Sequence, residues 1–146
     1  MSPLPDEDLL RDVPWTVRQI DVAAALIRDA AGRYLITQRR EGSHLAGLWE
    51  FPGGKVDAGE SLEACLRREL AEELCASFTI GEKVETIRWD YPELTVVLHF
   101  FRASLEAGTI TPLERQAMAW VEAERFGDYE FPPADHALIA RLRATR

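Results

Sequence analysis

The chain has 146 residues, 47% of them hydrophobic, enough apolar material for one ordinary globular domain with a real core and an argument against two. Its 17 basic and 25 acidic side chains leave a formal charge of −8. No long run of Lys or Arg offers a track for a nucleic-acid backbone, so the partner expected is a small molecule and not a nucleic-acid polymer.

In chain order, residues 1–19 read as an N-terminal extension, with Leu9, Leu10, Val13 and Trp15 as its candidate anchors, and 20–146 as the domain proper. The first residues lack a basic segment leading into a long apolar run, and no stretch approaches the ~20 apolar residues of a membrane span. Cys65 and Cys75 lie about ten residues apart along one helix, too far for a disulfide. The reading is a reduced, cytoplasmic protein without membrane attachment, as a monomer or a homodimer.

Ile20 to Ile27 is apolar and β-branched, Asp29-Ala30-Ala31-Gly32 supplies turn chemistry, and Arg33 to Arg39 alternates, which together predict a hairpin. Arg40 to Leu48 reads as a loop. Trp49-Glu50-Phe51-Pro52 is a short extended piece leading into a glycine turn. Phe78 to Trp89 and Leu94 to Leu105 flank Asp90-Tyr91-Pro92-Glu93 and predict a second hairpin. Ala117 to Val121 adds a strand, and Leu138, Ile139 and Leu142 space a final helix over Ala137 to Arg143. Strands on both sides of a central helix, closed by a last helix, give an α/β fold with a mixed sheet covered on its two faces.

The central helix carries the chemistry. It follows Gly53-Gly54-Lys55-Val56-Asp57-Ala58-Gly59-Glu60 and contains Arg68-Glu69-Leu70-Ala71-Glu72-Glu73. At about 100° per residue, Glu69, Glu72 and Glu73 share an arc of about 100°. Leu62, Leu66, Leu70 and Leu74 form an adjoining apolar stripe that docks the helix. Three hard carboxylates that close repel one another, and a divalent hard cation such as Mg²⁺ or Mn²⁺ is their natural neutraliser.

Gly54, five residues, Glu60, seven residues, Arg68-Glu69, an aliphatic residue, any residue and Glu72-Glu73 resemble the Nudix box. Cys75 stands where that box usually has glycine, which questions the left-handed turn at the helix end. Leu48-Trp49-Glu50-Phe51-Pro52-Gly53-Gly54-Lys55 is similar to the segment entering the box in the MutT-like branch. The resemblance implies an α/β/α sandwich and a Mg²⁺-dependent pyrophosphohydrolase that splits a nucleoside triphosphate into monophosphate and pyrophosphate. It implies metal ligation by the Gly53 carbonyl, Glu69, Glu72, Glu73 and, from Glu114-Arg115-Gln116, Glu114. Glu60, Arg68 and Gly54 brace the site. It further implies that Arg39, with Arg40 beside it, binds phosphate and that His44 lies near the substrate; the other readings are a solvated strand-end pair and an exposed loop histidine.

Phe131-Pro132-Pro133-Ala134-Asp135 resembles the base-recognition segment of relatives that act on 8-oxo-dGTP or cytidine nucleotides. An ionised Asp135 only accepts hydrogen bonds and so suits the cytosine amino group or guanine N–H donors; its other reading is a helix cap. If Asp135 only caps, base selection falls to the His44 loop or to the strands at Ile20 to Ala24 and Leu94 to His99. The implied role is nucleotide-pool sanitation, with 8-oxo-dGTP and (d)CTP or 5-methyl-dCTP as substrates. The same box serves other nucleoside diphosphate linkages such as ADP-ribose. A non-catalytic nucleotide-binding module is the rival from another class, and the presence of Glu60, Glu69, Glu72 and Glu73 speaks against it.

Overall fold

Strand β1 (Gln19–Ile27) is apolar because both of its faces are covered. Ala23, Ala25 and Ile27 enter one core, while Ala24 and Leu26 enter the other. In the computed structural model, which describes residues 19–39, 46–92, 94–113 and 116–144, the remaining elements are β2 (Tyr34–Gln38), β3 (Trp49–Glu50), β4 (Gly53–Lys55), α1 (Leu62–Leu74), β5 (Ser77–Asp90), β6 (Thr95–Ala107), β7 (Met118–Val121) and α2 (His136–Ala144). One sheet has the order β4-β1-β6-β5 and a second the order β3-β2-β7. Since β1 runs parallel to β6 and antiparallel to β4, the larger sheet is mixed. Helix α1 packs on one of its faces through Cys65, Leu66, Leu70 and Leu74, and α2 on the other through Leu138, Ile139 and Leu142. The expected α/β/α sandwich is the architecture.

The second expected hairpin forms, with β5 and β6 paired from Ser77↔Ala107 to Asp90↔Thr95 and closed by reciprocal backbone bonds between Tyr91 and Leu94. The first does not. Its turn is present: the Asp29 carboxylate accepts the N–H groups of Ala31 and Arg33, and Gly32 takes a φ of 84°. Yet only an isolated bridge, Arg28↔Tyr34, joins the two arms. Both hydrogen-bonding edges of β1 belong to β4 and β6, so β2 turns away and pairs with β3 and β7.

The glycine turn is also corrected, because Gly53–Lys55 is a short strand on β1. A β-carbon on Gly53 would lie 2.0 Å from the Ala23 carbonyl oxygen, so this glycine serves a close backbone approach. Helix α1 starts at Ser61, whose hydroxyl accepts the Ala64 N–H at 3.1 Å. It ends in the left-handed turn that the missing glycine had put in question. Cys75 adopts φ 56° and its N–H reaches the Ala71 carbonyl, at a steric cost of about 1 kcal/mol relative to glycine. Both cysteines are free, Cys65 buried and Cys75 exposed. Among the described residues no helix is long and apolar enough to cross a membrane.

Candidate active site

A cleft of about 360 Å³ opens on the α2 side of the larger sheet, and the strand order sorts its chemistry. At the β4 edge stand Gly53, Gly54 and Lys55, with Glu69 and Glu73 from α1 and Arg39 and Glu50 from the smaller sheet. Val22 and Ala24 of β1 and Val96, Leu98 and Phe100 of β6 make an apolar floor. At the β5 edge, Trp89 and Tyr91 meet Pro132, Ala134 and Asp135. Period-two alternation turns Trp89 and Tyr91 to the same side as Ile87, which packs in the α2 core.

The carboxylate end is heavily braced. Arg68 forks onto Glu60 through Nε at 2.8 Å and Nη2 at 2.9 Å, and its Nη1 donates to Glu69 at 2.9 Å and to Glu72 at 3.5 Å. The fork, helped by the Asp57 N–H, holds the Glu60 carboxyl down at about 2 and pushes the Arg68 guanidinium further toward its charged form. Gly54 has no room for a side chain: a β-carbon there would sit 2.3 Å from the Glu69 carboxyl carbon. Glycine at 54 therefore makes space for an acid.

Glu73 is half-buried and accepts the Gly53 N–H at 3.3 Å. Burial, then the neighbouring charges of Glu50 and Glu69, push its carboxyl well above the ordinary range, and burial raises Glu69 as well. Glu72 is the outward member, with 58% of its side chain exposed. Among the described residues no three acidic, imidazole or thiol groups converge into a ready cation cage. Half-buried acids raised by desolvation and then by neighbouring charge, beside a glycine backbone, are nevertheless a donor set that a hard divalent cation fits.

Arg39 pairs with Glu50 at 3.5 Å and faces the cleft. Asp135 is 7% exposed and lies within a 3-10 turn, Pro133–Asp135, that runs into α2. Burial, then the charge of Glu50, lifts its carboxyl to about 7. Burial favours the protonated form of this carboxyl, which donates as well as accepts, over the ionised form, which only accepts. His44, Arg40 and Glu114 lie outside the described residues. Glu50, Trp89 and Tyr91 are cleft residues that sequence reasoning did not assign. The period-two pattern Ile87, Trp89, Tyr91 was the available signal for the last two, and for Glu50 it was adjacency to Phe51-Pro52-Gly53.

Comparison with known proteins identifies the family. A family profile described as NUDIX domain matches residues 23–141. An 8-oxo-dGTP diphosphatase of Haemophilus influenzae is 41% identical over 84% of this chain and 90% of its own length. A CTP pyrophosphohydrolase of Escherichia coli is 38% identical over 89% of this chain and 96% of its own. Among solved structures, the solution structure of the E. coli ORF135 protein has a TM-score of 0.75 at 38% identity, covering 90% of this chain and 95% of that one. The MutT protein from Methanosarcina mazei Go1 has a TM-score of 0.76 at 28% identity, covering 88% and 96%.

Proposed function

The chain belongs to the Nudix family, and from that premise we propose that it is a Mg²⁺-dependent pyrophosphohydrolase cleaving a nucleoside triphosphate to the monophosphate and pyrophosphate. The observation that carries the reading is the cleft itself, in which one edge collects carboxylates and cationic side chains while the other is apolar and ends in a hydrogen-bonding acid. A polyphosphate suits the first edge and a nucleobase the second.

Glu69, Glu72 and Glu73, with the Gly53 carbonyl and Glu114, would hold Mg²⁺, for which Mn²⁺ could substitute. When bound, it supplies charge neutralisation and Lewis acidity at the polyphosphate. Arg39 and Lys55 orient phosphate oxygens. Arg68 fixes Glu69 and Glu72 by hydrogen bonds, and a box glutamate accepts the proton of the attacking water.

Asp135 contacts the base edge. The substrate class is an oxidised or modified nucleotide, with 8-oxo-dGTP first, because a carboxyl that also donates can meet a guanine carbonyl; (d)CTP or 5-methyl-dCTP is the second reading, served by the ionised form. The role would be nucleotide-pool sanitation, as the names of the H. influenzae and E. coli relatives suggest. A nucleotide panel with Mg²⁺, scored separately for pyrophosphate and orthophosphate, tests this. One pyrophosphate per monophosphate is expected, and turnover confined to ADP-ribose or release of orthophosphate overturns it.

A further inference from the structure

On the sheet face turned away from the cleft, three side chains from adjacent strands stand in line. His99 of β6 shares this face with Phe101, and Asp21 of β1 shares it with Ala23, both of which pack toward α1. The His99 Nδ1 lies 2.9 Å from Lys83 Nζ of β5, and its Nε2 lies 2.9 Å from Asp21 Oδ1. An ammonium only donates and a carboxylate only accepts, so the ring proton belongs on Nε2 and a lone pair remains on Nδ1. His99 is 9% exposed, whereas Lys83 is open to solvent. An exposed amine, a buried basic nitrogen against it and a carboxylate orienting that ring are the parts of an activated nucleophile.

A second observation comes from residue choice. Of the 17 basic side chains, Lys55 and Lys83 are the only lysines. A guanidinium could donate to Nδ1 equally well, but it stays protonated; an amine can lose its proton and form a bond. Lysine at this position, in a chain whose basic side chains are arginine at all but two positions, suits amine chemistry better than a fixed charge.

We propose that Lys83 is a modification site that takes an acyl group from a small acyl phosphate, with His99 as its base and Asp21 orienting His99. The Lys83 nitrogen, as free amine, attacks the acyl carbon and forms the C–N bond. The C–O bond to phosphate breaks and phosphate leaves with the electron pair. The proton shed by nitrogen passes to Nδ1, then to the departing phosphate or to water. Nothing is oxidised or reduced. The Phe101 ring centroid lies 5.9 Å from Nζ, at the outer limit of a cation–π contact. The amide product can still donate to Nδ1, but the charge beside that ring is gone.

The test is timed incubation of the whole protein with acetyl phosphate, followed by mass spectrometric quantification of acetylation at Lys83 and Lys55. Lys83 is expected to react about tenfold faster than Lys55 in the native protein, and at the same rate as Lys55 in urea. His99→Gln should remove the native advantage and Asp21→Asn should reduce it several-fold, with the Lys55 rate as internal reference. Equal native rates, or an advantage that survives both substitutions, overturn the proposal and leave the three residues as a structural clamp. Where His99→Gln does not fold, Asp21→Asn, which is near-isosteric and leaves Lys83 and His99 in place, carries the test.

Discussion

The two edges of the cleft are built on opposite terms. At the β4 edge nearly every polar group has a partner: Arg68 serves Glu60, Glu69 and Glu72, Glu73 takes the Gly53 N–H, and Gly54 is shaped around Glu69. At the β5 edge the Trp89 indole nitrogen is buried without a hydrogen bond among the described residues, and the Asp135 carboxyl is buried near the charge of Glu50. An unmet buried polar group costs about 1–3 kcal/mol. On the proposed function, the reacting end would be fixed before substrate arrives, whereas the selecting end would be completed by the ligand.

Breaking the braced edge should have the largest effect. Glu69→Gln or Glu73→Gln keeps side-chain size but removes an anionic oxygen, and kcat should fall by about 10³ or more while the unfolding midpoint moves little. Near-normal turnover in both variants would dissolve the contrast. Gly54→Ala is next. Its methyl group meets the Glu69 carboxylate, so kcat should drop roughly a hundredfold, as for other displacements of about 1 Å, and circular dichroism should still show the folded domain.

Asp135→Asn sharpens the comparison from the other edge. Asparagine donates and accepts at every pH, whereas Asp135 changes over near 7. At pH 8.5 the ratio of kcat/KM for 8-oxo-dGTP over dCTP should rise about tenfold in the variant, and the difference should shrink at pH 6. Stability carries the same signature. A carboxyl raised from 3.8 to about 7 binds its proton more tightly in the folded state, so wild-type stability declines as pH rises from about 4 through 7. The variant lacks that decline and should be the more stable protein at pH 8, by up to a few kcal/mol. An unchanged substrate ranking across pH would return base selection to the strands of the floor. The smallest effect is expected for Arg39→Ala, a rise in KM of several-fold that exceeds that of Arg40→Ala, measured with a triphosphate at saturating Mg²⁺.

Local periodicity explains what could be read from the residues alone. The stripe Leu66, Leu70, Leu74, the alternation through β5 and β6, and the spacing of Leu138, Ile139 and Leu142 each report a buried face within one element. The partners of β1 are not local information: its pairing with Val96 to Ala103 and with Gly53 to Lys55 depends on residues far along the chain. Glycine at 53 and 54 had two available meanings, turn or close approach, and only the positions of Ala23 and Glu69 decide between them. Asp135 was legible as a hydrogen-bonding residue, but its charge state was not, because that depends on burial and on Glu50 across the cleft.

The parallel pairing of β1 with β6 has a consequence for biogenesis. Ile20 must wait for Val96, half the chain later, before this part of its ladder can close. At about 5–20 residues per second of synthesis, the segment from Ile20 to Ile27 spends several seconds outside the ribosome as an unpaired apolar strand. Neither β4, only three residues long, nor α1 can cover both its edges and faces in that interval. Such a nascent chain is a natural client for holding chaperones, and its yield on expression should depend on translation speed more than that of a domain whose first strand closes a hairpin at once.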